Sequence, residues 1–213
     1  MDFGIGRSAL LNVLADVMMV ETTGGGAFLG RFQHLQRLRL VEGINPGRGK
    51  QAQYRANQVL VIAIAMQLLQ LGLTPERAVR IIRDNQDRVR LCISLAVPSK
   101  DSLSPAFLYF DPALLTELGD KGGKYDFAEQ TFHYAGQGTL KETIEDFLIE
   151  GDVPRLAIVN VKGTIAAIKD ALFELDLGAA SDLEIHPEEG PTAANFHYDL
   201  HNWVSQSTPD SLE

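Results

Sequence analysis

A single cysteine, Cys92, stands in the 213 residues. The chain therefore holds no internal disulfide and no Cys-based zinc site. Long hydrophobic runs are also missing. The longest, Val59–Met66, is far short of the ~20 residues that a membrane span needs, so no membrane partner is expected. The first twenty residues carry Asp2, Asn12 and Asp16, which do not suit a secretory signal. A reducing cytoplasm is the expected compartment. Apolar residues make up 45% and charged residues 22%, which excludes a chain that is disordered throughout. The length suits one to two domains.

The net charge of −9 hides an asymmetry. Residues 1–90 hold 12 Arg and Lys against 7 Asp and Glu, and residues 91–213 hold 7 against 21. A basic half suits a polyanion, whereas an acidic half must face away from one or bind something else.

Residues 7–20 read as a helix, with Leu10, Leu11, Leu14, Val17 and Met18 at three- and four-residue spacing. Glu21–Gly26 breaks it with Gly24, Gly25 and Gly26. Residues 27–41 read as a second helix with Phe28, Phe32 and Leu35 inward. Gln33, His34 and Arg37 fall on its opposite face, with Arg31 nearer the flank and Gln36 nearby. Arg39 falls near the apolar side, so either the helix distorts there or Arg39 snorkels. Pro46, Gly47 and Gly49 force turns, and Lys50–Arg55 suits a short strand pair with a basic tip. Asn57–Leu71 is apolar on nearly every side and so predicts a buried helix, stopped at Gly72. Thr74 and Pro75 then supply an N-cap and a first helical proline for a helix running to about Arg90. It buries Ala78, Val79 and Ile82 and exposes Arg77, Arg80 and Arg83. Val97–Pro105 reads as a linker. Beyond it, Ala106–Phe110, Thr131–Tyr134 and a buried Leu156–Val161 read as strands. Thr139–Glu150 and Thr164–Leu175 read as helices. The polar stretch from His186 onward is expected to be partly disordered.

Several of these segments fall in a known order. Gly43-Ile44-Asn45-Pro46-Gly47-Arg48 is followed by Tyr54-Arg55, then by Leu71-Gly72-Leu73-Thr74-Pro75-Glu76 and by Ala78-Val79-Arg80-Ile81-Ile82. In this, residues 31–82 resemble the MerR family of winged-helix DNA-binding domains. They match its turn into the wing, the wing's closing pair, and the junction and core face of its fourth helix. Where that family has paired aromatics and a glutamate on the recognition helix, this chain has Arg37, Leu38 and Arg39. Glu42 replaces its usual glycine. No long dimerisation helix follows residue 90.

The resemblance implies a recognition helix (27–41) and a basic wing (44–55) on duplex DNA. Arg31, Gln33, His34, Gln36 and Arg37 would meet bases and phosphates from the helix. Arg48, Lys50, Gln53 and Arg55 would position the wing on the backbone, and Tyr54 would either pack its ring beneath the wing or donate a hydrogen bond to phosphate. The expected fold class is α+β, with a mainly helical winged helix-turn-helix domain at 1–96 and a linker at 97–105. A mixed α/β domain at 106–185 and a polar tail at 186–213 follow. The expected function is sequence-specific transcription regulation as a homodimer, since two half-sites multiply specificity. The acidic domain would dimerise or take a small ligand or protein partner. The alternative is a phage-type or structural DNA-binding protein for packaging, partition or recombination. A fragment ending near residue 95 is expected to keep some DNA affinity but to lose most half-site cooperativity.

No enzyme, cofactor or metal is expected; an enzyme with a catalytic C-terminal domain is the third reading, and no motif in the sequence supports it. Gly24-Gly25-Gly26 lacks the Lys-Ser/Thr of a phosphate cradle. His197, Asp199 and His201 lie in an irregular tail without a third strong ligand. Glu142, Glu145 and Asp146 suit a solvated helix face better than acid–base work.

Overall fold

The computed structural model describes residues 3–21, 26–44, 52–97, 106–110, 133–136, 138, 140–142, 144–145, 156–182 and 192–206. In chain order the elements are β1 (Ile5–Gly6), α1 (Arg7–Val17), α2 (Gly26–Arg37), β2 (Gln53–Tyr54), α3 (Ala56–Gln70), α4 (Pro75–Asp84), α5 (Gln86–Ala96), β3 (Ala106–Phe110), β4 (His133–Gly136), β5 (Ala157–Asn160), α6 (Val161–Asp182) and α7 (Ala193–Ser205). Among the described residues the chain is α+β, with two small antiparallel sheets. Packing divides it into two units. Unit 1 is Met1–Ala63 with Thr164–Glu213, and unit 2 is Ile64–Gly163. The boundary thus falls inside α3 and near the start of α6. It does not coincide with the linker expected at 97–105, of which 98–105 lie outside the described residues.

Unit 1 is built on an N-terminal strand that the sequence reading lacks. β1 pairs antiparallel with β2, Ile5 opposite Tyr54 and Gly6 opposite Gln53. The expected strand pair within 50–55 is therefore replaced, among the described residues, by pairing with the chain's N-terminal segment. Residues 45–51 lie outside the description. Phe3, Ile5, Leu10, Leu14, Phe32, Leu35 and Tyr54 are buried in this unit.

The stretch expected to be a disordered tail contains α7. Thr192 caps it, accepting from the Asn195 N–H at 3.1 Å. Phe196 and Leu200 are fully buried, and Phe196 meets Phe3 edge-on at 5.3 Å. Two aromatic rings and a leucine out of water outweigh the stretch's polar average.

α7 also supplies a cap to another helix. The Ala56 N–H at the start of α3 donates to Asp199 Oδ2 at 3.1 Å, across 143 positions of sequence. The Arg55 N–H donates to Gln58 Oε1 at 2.9 Å, and Gln58 Nε2 donates to the Glu42 carbonyl at 2.7 Å. Two of the N–H groups left open at this helix start are thereby satisfied. A carboxylate there also favours the helix dipole.

Three helices end in the same way. After α1, α2 and α3, the residues Met19, Arg39 and Gly72 take positive φ of 53°, 54° and 99°. Each N–H bonds three residues back, and the next N–H bonds five back: Val20 to Ala15, Leu40 to Leu35 and Leu73 to Leu68. This is the Schellman ending, in which glycine is the unstrained choice. Only Gly72 follows it. The second helix consequently stops at Arg37, not at 41 as its periodicity predicts.

In unit 2, Thr74 caps α4 through Arg77 N–H and Pro75 opens it, as the sequence predicts. The helix expected to run to Arg90 is instead two. Buried Asn85 sits between them at φ −121°, and its Nδ2 donates to the Ile81 carbonyl at 2.9 Å. An asparagine side chain competing for backbone groups interrupts a helix. Strand β3 is central, with β4 and β5 antiparallel on either side, and α5 packs on β3 and β4. Tyr109, Ala135 and Leu140 bury together with Phe107, Ile144 and Leu156. The strand expected to be buried, β5, instead alternates, with Ile158 exposed. One face of this edge strand is solvated.

Two stability changes follow. Met19 is 94% exposed, so Met19→Gly loses no apolar burial and relieves a left-handed backbone. It should raise the denaturant midpoint by an amount equivalent to about 0.5–1 kcal/mol. Asp199→Ala should lower stability by about 1–2 kcal/mol, and Asp199→Asn by less, because the amide still accepts a hydrogen bond.

Candidate nucleic-acid interface

Four segments of unit 1 enclose an open groove of about 870 Å³. The start of α1 contributes Arg7. One face of α2 contributes Gln33, Gln36 and Arg37, at the three- and four-residue spacing that stacks side chains on one side of a helix. The turn after α2 adds Arg39, Val41, Glu42, Gly43 and Ile44, and β2 with its approach adds Ala52 and Tyr54. Among the described residues, three arginines and one glutamate thus line the groove.

Each cation is placed by a local rule. Arg7 follows Gly6 directly. Its guanidinium lies 5.9 Å from the Phe32 ring centroid, a cation–π contact that consumes none of its N–H donors. No side chain caps α1 and its first turn has no acidic residue, so the helix end adds positive partial charge beside Arg7. Arg37 is the last residue of α2. Arg39 reaches the groove because the chain turns left-handed at that residue. The tie from Gln58 to the Glu42 carbonyl fixes the rim.

Tyr54 forms part of the wall. Its ring is fully buried, 6.4 Å from that of Phe32, and its hydroxyl accepts a hydrogen bond from Gln36 Nε2. Burial pushes the phenol above its ordinary range, against the smaller opposing pulls of Arg7 and Gln36. Tyr54 is therefore a neutral hydroxyl at physiological pH.

Of the residues expected at a DNA surface, Gln33, Gln36, Arg37 and Tyr54 come together here. Arg31 is exposed and His34 half-buried on α2, but neither lines the groove. Gln53 is exposed and lies beside Gly4, and Arg55 is exposed at the start of α3; neither lines it. Arg48 and Lys50 lie outside the described residues. Sequence reasoning missed Arg7, Arg39 and Glu42. Arg39 left a signal, since an arginine out of phase with its helix marks the place where the helix has ended.

The other clusters lead elsewhere. His197 and His201 stand on the ordered helix α7, not in an irregular tail. Among the described residues no group of three or more His, Cys, Asp or Glu is placed to hold a metal. Cys92 is buried and its thiol is pushed up to about 12 by burial, so it is inert. Glu142 and Glu145 are exposed, and Glu145 pairs with Lys141 at 3.7 Å, one helical turn away. No helix of the described residues is long and apolar enough to cross a membrane.

No family model, curated protein or solved structure matches the chain.

The histidines carry a pH dependence. Burial, then the charges of Lys169 and His201, hold His197 below its ordinary 6.5, and its Nδ1 is buried without a partner. Burial and Arg88 act likewise on His133. A histidine depressed on folding contributes stability that is complete above about pH 6.5 and is lost as pH falls below it. Melting temperature should therefore drop between pH 7.5 and 5.5, and His197→Gln should flatten that drop. An equally steep drop in the variant would assign the effect to other groups.

Proposed function

We propose that this protein is a DNA-binding transcriptional regulator of the winged helix-turn-helix type, and that unit 1 meets duplex DNA through the groove between α2 and the base of the wing. The observation that carries the reading is the convergence of Arg7, Arg37 and Arg39 with Gln33 and Gln36 on one open surface. Arginine is the side chain best suited to phosphate and to guanine. Glutamine offers a donor and an acceptor to a base edge. A locally cationic surface that also carries amides can both position a duplex and read it.

The charge is local. Unit 1 as a whole carries 8 Arg and Lys against 14 Asp and Glu. Its net charge would not draw a polyanion, so the groove must. At physiological salt, screening over about 8 Å lets nearby guanidiniums outweigh distant carboxylates. Arg7, anchored over Phe32 beside the α1 end, serves a phosphate in this reading. Arg37, on the same face as Gln33, serves a base. A homodimer would double the few base pairs that one such unit contacts.

The groove depends on both ends of the chain. A fragment ending near residue 95 lacks α6 and α7, and with them Asp199 and Phe196, so binding is measured on the full chain. Fluorescence anisotropy on duplex DNA from around its own gene, against scrambled duplex over a salt series, tests the reading. Preference for the native duplex at physiological salt supports it; no binding to either duplex at low salt overturns it. Arg7→Ala should reduce the slope of log affinity against log salt by about one unit on all sequences. Arg37→Ala should cost about 1–3 kcal/mol on the specific site and far less on scrambled DNA. Equal losses on both duplexes would reassign Arg37 to phosphate.

A further inference from the structure

We infer that Gln36 selects an adenine in the bound duplex and that Tyr54 is the residue that positions it. This inference rests on the DNA-binding reading above. Gln36 is half-buried on the groove wall, where its Nε2 donates to the Tyr54 hydroxyl. Tyr54 cannot swing away. Its ring is fully buried beside Phe32, and its backbone is paired opposite Ile5 in the β1–β2 ladder.

A glutamine on an exposed helix samples many rotamers and must lose them on binding. Here that freedom is already restricted. The hydrogen bond to Tyr54 uses one N–H of the amide and leaves the other N–H and the carbonyl oxygen. A neighbouring donor and acceptor match the N7 and N6 amino group of adenine in the major groove. Guanine presents two acceptors, N7 and O6, and would set O6 against the amide oxygen. Thymine presents an acceptor and a methyl group, and cytosine a donor alone. A fixed amide therefore discriminates among the four bases.

The test begins with selection of a bound site from a randomised duplex pool, using the full chain. Single-base variants of that site are then titrated by anisotropy. In the native protein one position should prefer adenine by about 5- to 100-fold. Gln36→Ala should flatten that preference. Tyr54→Phe, which keeps the ring, should flatten the same position, and the double variant should be no flatter than Gln36→Ala alone. Gln36→Glu should move the preference to cytosine, whose N4 amino group a carboxylate accepts. Flattening at two different positions, additive effects, or a Tyr54→Phe protein with native preference would overturn the inference. If the pool yields an enriched site whose preferences Gln36→Ala leaves intact, this inference alone fails. If the full chain enriches nothing, the DNA-binding reading fails with it.

Discussion

The hydrogen bond from the Ala56 N–H to the Asp199 carboxylate is the constraint on which unit 1 depends. Every helix start presents open N–H groups, and α3 begins directly after β2. Asp199 answers one of those groups from the far end of the sequence. Gln58 answers another and also holds the Glu42 carbonyl on the groove's rim. Tyr54 lies two residues before Ala56 and carries the groove's wall. Wall, rim and C-terminal helix therefore meet at one hydrogen-bonded node. The Phe3–Phe196 edge contact secures the same helix through apolar burial.

Much of this fold was legible where a local rule decides it. The first helix, expected over 7–20, ends early at Val17 ahead of left-handed Met19, but the apolar run of α3, the Thr74–Pro75 start and the Gly72 stop stand as read. So do the central strand Ala106–Phe110 and α2's Phe32 and Leu35. What was hidden follows from partners distant in sequence. β1 is two residues long and has meaning only opposite Tyr54. Phe196 and Leu200 look like isolated apolar residues in a polar stretch until Phe3 and the unit 1 core are brought to them. Asn85 ended a helix whose periodicity ran on unbroken, because its side chain bonds to Ile81. At the groove, Gln33 and Arg37 were legible from helical phase and Gln36 only as their neighbour, while His34 on the same predicted face does not line it. Arg7 was not, because its place depends on β1.

The division of charge along the sequence is also not a division in space. The 12 cations of residues 1–90 are shared between both units, and the acidic residues after 163 belong with the groove's own unit. What distinguishes the groove, among the described residues, is composition at short range: three arginines and two glutamines against one glutamate. Side chains on one helix face, on one helix start and on one turn achieve this without a basic domain.

Arg39 occupies a position where backbone strain and side-chain chemistry pull in opposite directions. Its left-handed conformation is what turns the chain back and carries its guanidinium to the groove. Glycine would sit there without strain and would strip one of the three guanidiniums from the surface. If the groove takes the proposed duplex, stability and affinity compete at this residue. Selection for thermal robustness alone would drift toward glycine at this site, and selection for ligand capture would hold the arginine.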